Sequence, residues 1–456
     1  MREPQAAETG AETGVETREV TLEEAMAMAI LFQKHGQLAD AESLYRQVLK
    51  AAPDHPDALH FAGVLAHQQG RSDDAIAMIE RSLALEPNQP DCYSNLGIIF
   101  KARGRIEEAI AAYQRAIALN PEHANAHNNL GVLLKAQGRK EDAEAEYREA
   151  IRLNPQHADA YNNLGILLSN LKRLPEAVEC FCRVTTLMPK HPEARRLLAM
   201  AHCTLGEPEK AVKIFEEWLA EEPDNAIAQH MLAACSGRGV PERASDAYVE
   251  RVFDGFAASF DKKLAQLSYR APAICHAMLE DAGVEAAKRL DIVDAGCGTG
   301  LCGPLIAPYA RRLVGVDLSA GMLAEAKEKG VYDELEKAEL TEYLHAHRQS
   351  FDLVVSADTL VYFGSLDDVM RAAAEALRPD GQVIFTLEEA APADAAPDFE
   401  LRNHGRYCHT QTYVEGALAR AGLVPLVVHA ELRMEAGAPV PGLAVRAKKR
   451  SGEHHG

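Results

Sequence analysis

The chain has 456 residues, which at roughly 100–200 residues per domain makes two to four domains. Hydrophobic residues make up 47% and charged residues 25%, the balance of folded globular protein and not of a disordered one. Residues 1–240 hold 25 Lys/Arg and 35 Asp/Glu and residues 241–456 hold 23 and 33, so each part carries −10 of the net −20, and neither offers the cationic field that a nucleic acid requires.

Residues 1–21 open on Met1-Arg2-Glu3-Pro4-Gln5 and stay acidic, with Gly and Thr. They are expected to be disordered, and they lack the apolar core of a secretory signal. From Leu22 a period of 34 sets in. Pro53, Pro87, Pro121, Pro155, Pro189 and Pro223 are spaced by it, as are Ala41, Ala75, Ala109, Ala143, Ala177 and Ala211. Gly63, Gly97, Gly131 and Gly165 form a third series, and Tyr45, Ile79, Tyr113, Tyr147, Phe181 and Phe215 a fourth. Six units of 34 residues fill Leu22 to Asn225. Within one unit, Tyr93, Leu96, Gly97 and Phe100 form one helical face and Ala109, Ile110, Tyr113, Ala116 and Ile117 another. Gly104 separates the two, and Pro121 ends the unit. Such a helix pair cannot bury its apolar face alone, so neighbouring units must stack. Residues 226–235 read as a closing helix, and Trp218 sits at a core position between units.

These positions resemble the tetratricopeptide repeat (TPR) family over residues 22–236. The resemblance implies an all-α superhelix whose concave groove takes a protein or peptide partner. Asn95, Asn129 and Asn163 occupy one place in three consecutive units, preceded by Asn128 and Asn162 in two of them. Stacked carboxamides can bond a peptide backbone without reading its side chains. The column is similar to the asparagine ladder in the repeats of O-GlcNAc transferase; solvated surface asparagines fit the same pattern. Ala27, Phe61 and Leu197 stand at the equivalent places in other units.

Residues 237–245, rich in Gly and charge, read as a linker. In the next segment Tyr248, Val252, Phe253, Phe256 and Phe260 share a helical face that runs to Leu264. Strand patterns then fall at Leu290–Asp294, Arg312–Asp317, Phe351–Ser356 and Gln382–Leu387. Helical stretches lie between them at Gly303–Ala310, Ala320–Lys329 and Asp367–Leu377. This alternation predicts a mainly parallel sheet covered on both faces. Two further strands, Leu423–Ala430 and Gly442–Ala447, are expected to close it as an antiparallel pair. Residues 449–456 read as a disordered tail.

Between the first strand and its helix lies Asp294-Ala295-Gly296-Cys297-Gly298-Thr299-Gly300. Glycines at alternate positions let the backbone turn sharply and approach a ligand. Asp317 follows 23 residues after Asp294, at the end of the second strand, where a carboxylate can accept from a ribose diol. Gly298 to Gly303 also spells the dinucleotide pattern. Asp294, however, suits the ammonium of S-adenosylmethionine (SAM) and repels a pyrophosphate. A dehydrogenase would also need a further catalytic region.

The loop, with Val316-Asp317-Leu318-Ser319-Ala320-Gly321-Met322, resembles class I SAM-dependent methyltransferases, with a Rossmann-like α/β fold over residues 246–448. The resemblance implies that Asp294, Ala295, Gly296, Cys297, Gly298 and Gly300 hold the methionine end. It implies Asp317 at the ribose, Leu318 and Met322 beside the adenine, Glu339-Leu340 at the adenine amino group, and Ala357-Asp358 after the next strand. The whole chain looks like predicted methyltransferases that carry N-terminal TPR repeats. Phe253-Asp254-Gly255-Phe256, Gly405-Arg406-Tyr407-Cys408-His409 and Pro439-Val440-Pro441-Gly442 carry that likeness.

Polar candidates at the expected acceptor end are Asp358, Tyr362, His404, Arg406, Tyr407 and His409. His409 is the first choice for a base, and Arg406 for holding an acceptor carboxylate. For any single histidine, an exposed loop place or a core hydrogen bond is the commoner role. His404, Cys408 and His409 lack a fourth ligand, so no metal is expected. Tyr269 either closes over the cofactor or packs. No apolar run of about 18 residues predicts a membrane span. Nine scattered cysteines without a Cys-x-x-Cys suit a reducing cytoplasm. The leading expectation is a methyltransferase whose repeats recruit a protein or peptide acceptor. Two alternatives stand beside it: a small-molecule methyltransferase docked through its repeats, and a non-catalytic scaffold that senses the cofactor.

Overall fold

The 34-residue period is realised as helix pairs. In the computed structural model, which describes residues 21–390, 397–435 and 437–450, the pairs are α1 (Leu22–Lys34) and α2 (Leu38–Ala51), α3 (Pro56–Gln68) and α4 (Ser72–Leu85), α5 (Pro90–Ala102) and α6 (Ile106–Leu119), and α7 (Ala124–Ala136) and α8 (Lys140–Leu153). Then come α9 (Ala158–Asn170) and α10 (Leu174–Leu187), α11 (Pro192–Thr204) and α12 (Pro208–Glu221), and the closing α13 (Ala226–Ser236). Residues 1–20 and 451–456 of the ends expected to be disordered lie outside the described residues. Thr21 is ordered: it forms a capping box with Glu24 at the start of α1.

The repeated glycine exists because a large side chain needs its space. A Cβ at Gly97 would lie 2.7 Å from the Tyr113 ring, and one at Gly131 2.8 Å from Tyr147. Both tyrosines are fully buried. The turn inside each pair uses the left-handed region at Gly36, Gly70, Gly104, Gly138 and Gly206, with Lys172 at φ +63° in the one unit that lacks the glycine. Trp218 is 2% exposed and packs with Phe215.

Contacts group the chain into two units, one ending at Leu167 and one beginning at Leu168. The second holds α10 to α13 and an α/β sheet domain. The stretch read as a linker is hydrogen-bonded to the sheet domain. Ala244 N–H donates to Tyr362 O at 2.8 Å, and Gly364 and Ser365 N–H both donate to Glu242 O at 2.8 Å.

After it come α14 (Asp246–Asp254) and α15 (Phe260–Gln266). The single helical face expected over Tyr248–Leu264 is broken at Gly255, with a 3-10 turn at Ala257–Ser259. The domain continues as α16 (Ala271–Asp281), β1 (Leu290–Ala295), α17 (Gly303–Ile306), β2 (Ala310–Asp317), α18 (Ala320–Glu328), β3 (Glu334–Lys337), α19 (Leu340–Ala346), β4 (Phe351–Ser356), α20 (Asp367–Ala376) and β5 (Leu377–Glu389). It ends with β6 (Phe399–Leu401), β7 (Tyr407–His409), α21 (Gln411–Arg420), β8 (Leu423–Glu435) and β9 (Ala438–Lys449). The helix expected over Gly303–Ala310 stops at Ile306. The closing pair is longer than its apolar core, and β9 takes in Lys449 from the expected tail.

The sheet runs β3-β2-β1-β4-β5-β7-β6, with β9 antiparallel to β5 and β8 antiparallel to β9. The β3 to β5 portion is parallel. Val293, Val314, Val354 and Val383 point into one core beneath α20 and α21, while Ile292, Leu313, Leu353 and Ile384 point into the other beneath α16. Asp294 pairs with Gly315 and Val355. This register brings the ends of β1, β2 and β4 to one edge, where the strand order reverses.

Candidate functional site

At that edge the backbone turns through the glycine loop. Gly296, Gly298 and Gly300 have φ of +77°, +54° and +82°. A Cβ at Gly296 would lie 2.2 Å from the Thr359 side chain, and one at Gly300 2.9 Å from the Tyr332 ring. At Gly298 a Cβ would meet nothing within 4 Å. That open face borders a cavity of about 300 Å³. Gly300 and Ala295 do not line the cavity; Gly300 serves the packing of the loop on Tyr332, and Ala295 is buried at the end of β1.

Two carboxylates flank this opening. Asp294 is 1% exposed and accepts from the Tyr332 hydroxyl at 2.6 Å. Burial pushes its carboxyl up to about 7. Asp317 accepts from Gly298 N–H at 2.9 Å through one oxygen and from Ser319 N–H at 2.8 Å through the other. Burial raises its carboxyl also, against those backbone hydrogen bonds. Among the described residues neither is bonded to a Lys or Arg. Two desolvated carboxylates without a cation fit a positively charged ligand.

Leu318 and Met322 line the cavity beside Asp317, and Glu339 and Leu340 stand across from them. Glu339 caps α19, accepting from Glu342 N–H at 2.9 Å and from the Thr341 hydroxyl at 3.1 Å. Cys297, Ala357 and Asp358 complete this side. Asp358 has φ +58°, a conformation that costs a non-glycine residue about 1–3 kcal/mol.

A cover closes the top. Phe253, Phe256 and Phe260 line the cavity, and Asp254 and Asp261 tie the segment down. Asp254 accepts from the Ser319 hydroxyl at 2.5 Å and from Gly321 N–H at 3.2 Å. Asp261 accepts from the Thr299 hydroxyl and from Lys329 at 2.6 Å. Tyr269 also lines the cavity.

The far end is a charge network. Arg433, 4% exposed, donates to Asp358 at 2.6 Å, to Glu435 at 2.7 Å and to Glu388. Arg406 donates to Glu388 at 2.5 Å and to Glu435 at 2.7 Å. The other oxygen of Asp358, Oδ1, is buried without a partner. Burial outweighs Arg433 and raises the Asp358 carboxyl. Tyr362 borders the same end, with burial pushing its hydroxyl up.

Comparison with known proteins decides the domain type. A family model described as a methyltransferase domain matches residues 293–385. Models of the tetratricopeptide repeat match residues 26–90, 99–138, 124–157, 146–179 and 181–235. The chain carries tetratricopeptide repeats and a class I methyltransferase domain. The bifunctional biotin-biosynthesis protein BioHC of Saccharophagus degradans is 30% identical over 202 residues, 41% of this chain and 33% of that protein. Methyltransferase-like protein 27 of Homo sapiens is 31% identical over 144 residues, 31% of this chain and 58% of its own. A malonyl-(acyl-carrier protein) O-methyltransferase of Acetivibrio thermocellus is 28% identical over 141 residues, 28% of this chain and 50% of its own. The chain thus spans between 33% and 58% of the length of these relatives. The methyltransferase domain implies SAM as methyl donor. The residues present fit it: an open glycine loop, two desolvated carboxylates without a cation, and a cavity at the small end of the ~300–1,000 Å³ range of ligand sites.

Two catalytic candidates lie elsewhere in the methyltransferase domain. His409, expected as the base, is fully buried on β7. Its Nε2–H donates to Gly364 O at 3.0 Å, its ring packs between Phe399 and Tyr413, and burial lowers it to about 4. It is a neutral core histidine and does not line the cavity. Tyr407 is equally buried, away from the cavity, and donates to Pro241 O at 2.7 Å. Arg406 precedes β7 and reaches the cavity, while Tyr407, Cys408 and His409 on the strand itself are all buried. Arg433, Glu388 and Glu435 carry no motif, since their meeting depends on the pairing of β9 with β5 and with β8 and on the length of β8.

In the first unit, the Asn95 amide lies 2.8 Å from His60 Nε2, and Asn163 Nδ2 donates to Asn128 Oδ1 at 3.0 Å. Each carboxamide thus reaches back to the preceding unit's neighbouring column. Asn95, Asn128 and Asn129 line a groove of about 660 Å³, and Asn162 Oδ1 is buried without a partner.

Proposed function

We propose that the protein is a SAM-dependent methyltransferase whose repeats recruit a protein or peptide acceptor. The observation that carries the enzymatic reading is the pair Asp294 and Asp317, one buried and one half-buried carboxylate bonded to no Lys or Arg among the described residues, beside the open face of Gly298. SAM, when bound, supplies an electrophilic methyl group on a sulfonium. In this reading Asp294 faces its ammonium group and Asp317 its ribose hydroxyls. Phe253, Phe256 and Phe260 exclude water, which in-line displacement requires. Asp358 Oδ1, bare and buried, takes the acceptor's proton, while Arg433 steadies the other oxygen.

A small acceptor, with the repeats used for docking, is supported by a relative named for ubiquinone biosynthesis, an O-methyltransferase of Sodalis glossinidius that is 27% identical over 106 residues. Incubation of the full chain with radiolabelled SAM and cell lysate separates the two readings. Label in the protein fraction is expected. Label confined to small metabolites would replace the first reading with the second, and no transfer to either would remove both.

A further inference from the structure

The groove along α3, α5, α7 and α9 has a charge and hydrogen-bonding pattern of its own. Asp57, Asp91, Asn125 and Asp159 occupy one place at the 34-residue period, and all four border the groove. Among the described residues Asp57 and Asp159 are bonded to no cation, and no Lys or Arg lines the groove.

A second column meets it. His123 and His157 each cap a helix, accepting through Nδ1 from Ala126 and Ala160 N–H at 3.3 and 3.4 Å. Capping fixes the tautomer, so each neutral ring carries its proton on Nε2. His123 Nε2 lies 3.1 Å from Asp91 of the preceding unit, though without hydrogen-bond geometry. At the next step the residue in the Asp91 place is Asn125, and His157 Nε2, in a side chain only 8% exposed, has no partner. A buried donor without an acceptor is destabilising until a ligand supplies one.

We propose that this groove binds an extended protein segment bearing lysine or arginine, with Asp57 and Asp159 taking the cationic side chains and His157 Nε2–H a backbone carbonyl. The carboxamides of Asn95 and Asn129 bond the same backbone. The proposal rests on the reading that the repeats recruit a protein segment, and adds the charge that segment carries. A nucleic acid is repelled by the same carboxylates.

The test is fluorescence anisotropy of the full chain with labelled peptides repeating Ala-Lys-Ser, Ala-Gln-Ser and Ala-Glu-Ser. The lysine peptide is expected to bind best, and more weakly as salt rises. Asp57→Asn with Asp159→Asn should weaken the lysine peptide about five- to tenfold, two partly exposed ion pairs being lost, and leave the glutamine peptide unchanged. His157→Asn should keep the cap, as Asn225 caps α13 from the same repeat position by accepting from Ala228 N–H at 3.0 Å. It should weaken every bound peptide by about two- to tenfold. Far-ultraviolet circular dichroism reports the fold of each variant. Equal binding of the lysine and glutamine peptides would overturn the charge proposal and leave recruitment standing. If no peptide binds, both fail.

Discussion

Asp294 shows how burial and ligand charge act on one group. Without a cation nearby its carboxyl sits near 7, raised by desolvation. A bound ammonium favours the ionised form, so binding lowers that value and releases a proton. Affinity for SAM is therefore expected to fall as pH drops through about 7, by up to about tenfold per pH unit below it. A second decline should begin above about 8, where the ligand's own amino group loses its proton. Calorimetry at several pH values, in buffers of different ionisation enthalpy, checks both the slope and the released proton. Asp358 is the second decisive residue. Asp358→Asn keeps the shape and the Arg433 contact but removes the base, and should lower kcat by about 10²–10⁴-fold. His409 offers no rescue, because a neutral ring bonded to Gly364 O cannot reach the cavity. In the sequence His409 and Arg406 look alike as candidates. What separates them is that β7 carries His409 into the core while Arg406 lies just before the strand, and a strand of three residues has no period to read.

Among the elements, the cover between α14 and α15 behaves as a clasp. Its three phenylalanines line the cavity, but what holds it is polar: Asp254 on Ser319 and Gly321, and Asp261 on Thr299 and Lys329. Asp254→Ala with Asp261→Ala should leave the circular dichroism spectrum unchanged. It should weaken SAM binding about tenfold and raise the rate at which SAM leaves, measured by stopped-flow fluorescence. The phenylalanine pattern made this segment visible in the sequence as an apolar helix. The break at Gly255, which folds it back so that both aspartates reach the glycine loop, has no periodic signal. The repeats were legible for the opposite reason: Gly97 and Tyr113, or Gly131 and Tyr147, are complementary shapes that recur at the same spacing in successive units. Strands β1, β2, β4 and β5 were legible as apolar runs because helices cover both faces. The short β3 and β6 bury too little to announce themselves.

At the scale of the whole molecule, the last helices of the repeat run belong physically with the methyltransferase domain. Tyr248 packs with Ala226 and Ala244. Tyr407 and Leu401 pack with Ala233. His230 Nε2–H donates to Gly405 O at 2.9 Å, and its ring stacks on Tyr248 with centroids 3.9 Å apart. The change in repeat pattern at residues 237–245 suggests a cut there, yet such a cut removes one side of these clusters. A chain beginning at residue 237 should melt well below one beginning at residue 172, with a loss of about 2–5 kcal/mol from exposed aromatic and aliphatic groups. Thermal unfolding of the two truncations, followed by circular dichroism, measures it.

The most direct test titrates the full chain with SAM by calorimetry, beside Asp317→Ala. Asp317 holds the glycine loop by Gly298 N–H and borders the cavity. Saturable one-site binding is expected for the native chain, and a loss of at least about tenfold for the variant, with its repeats still folded. Equal affinity in the two proteins, or no binding of SAM to the native chain, would contradict the assignment of this cavity.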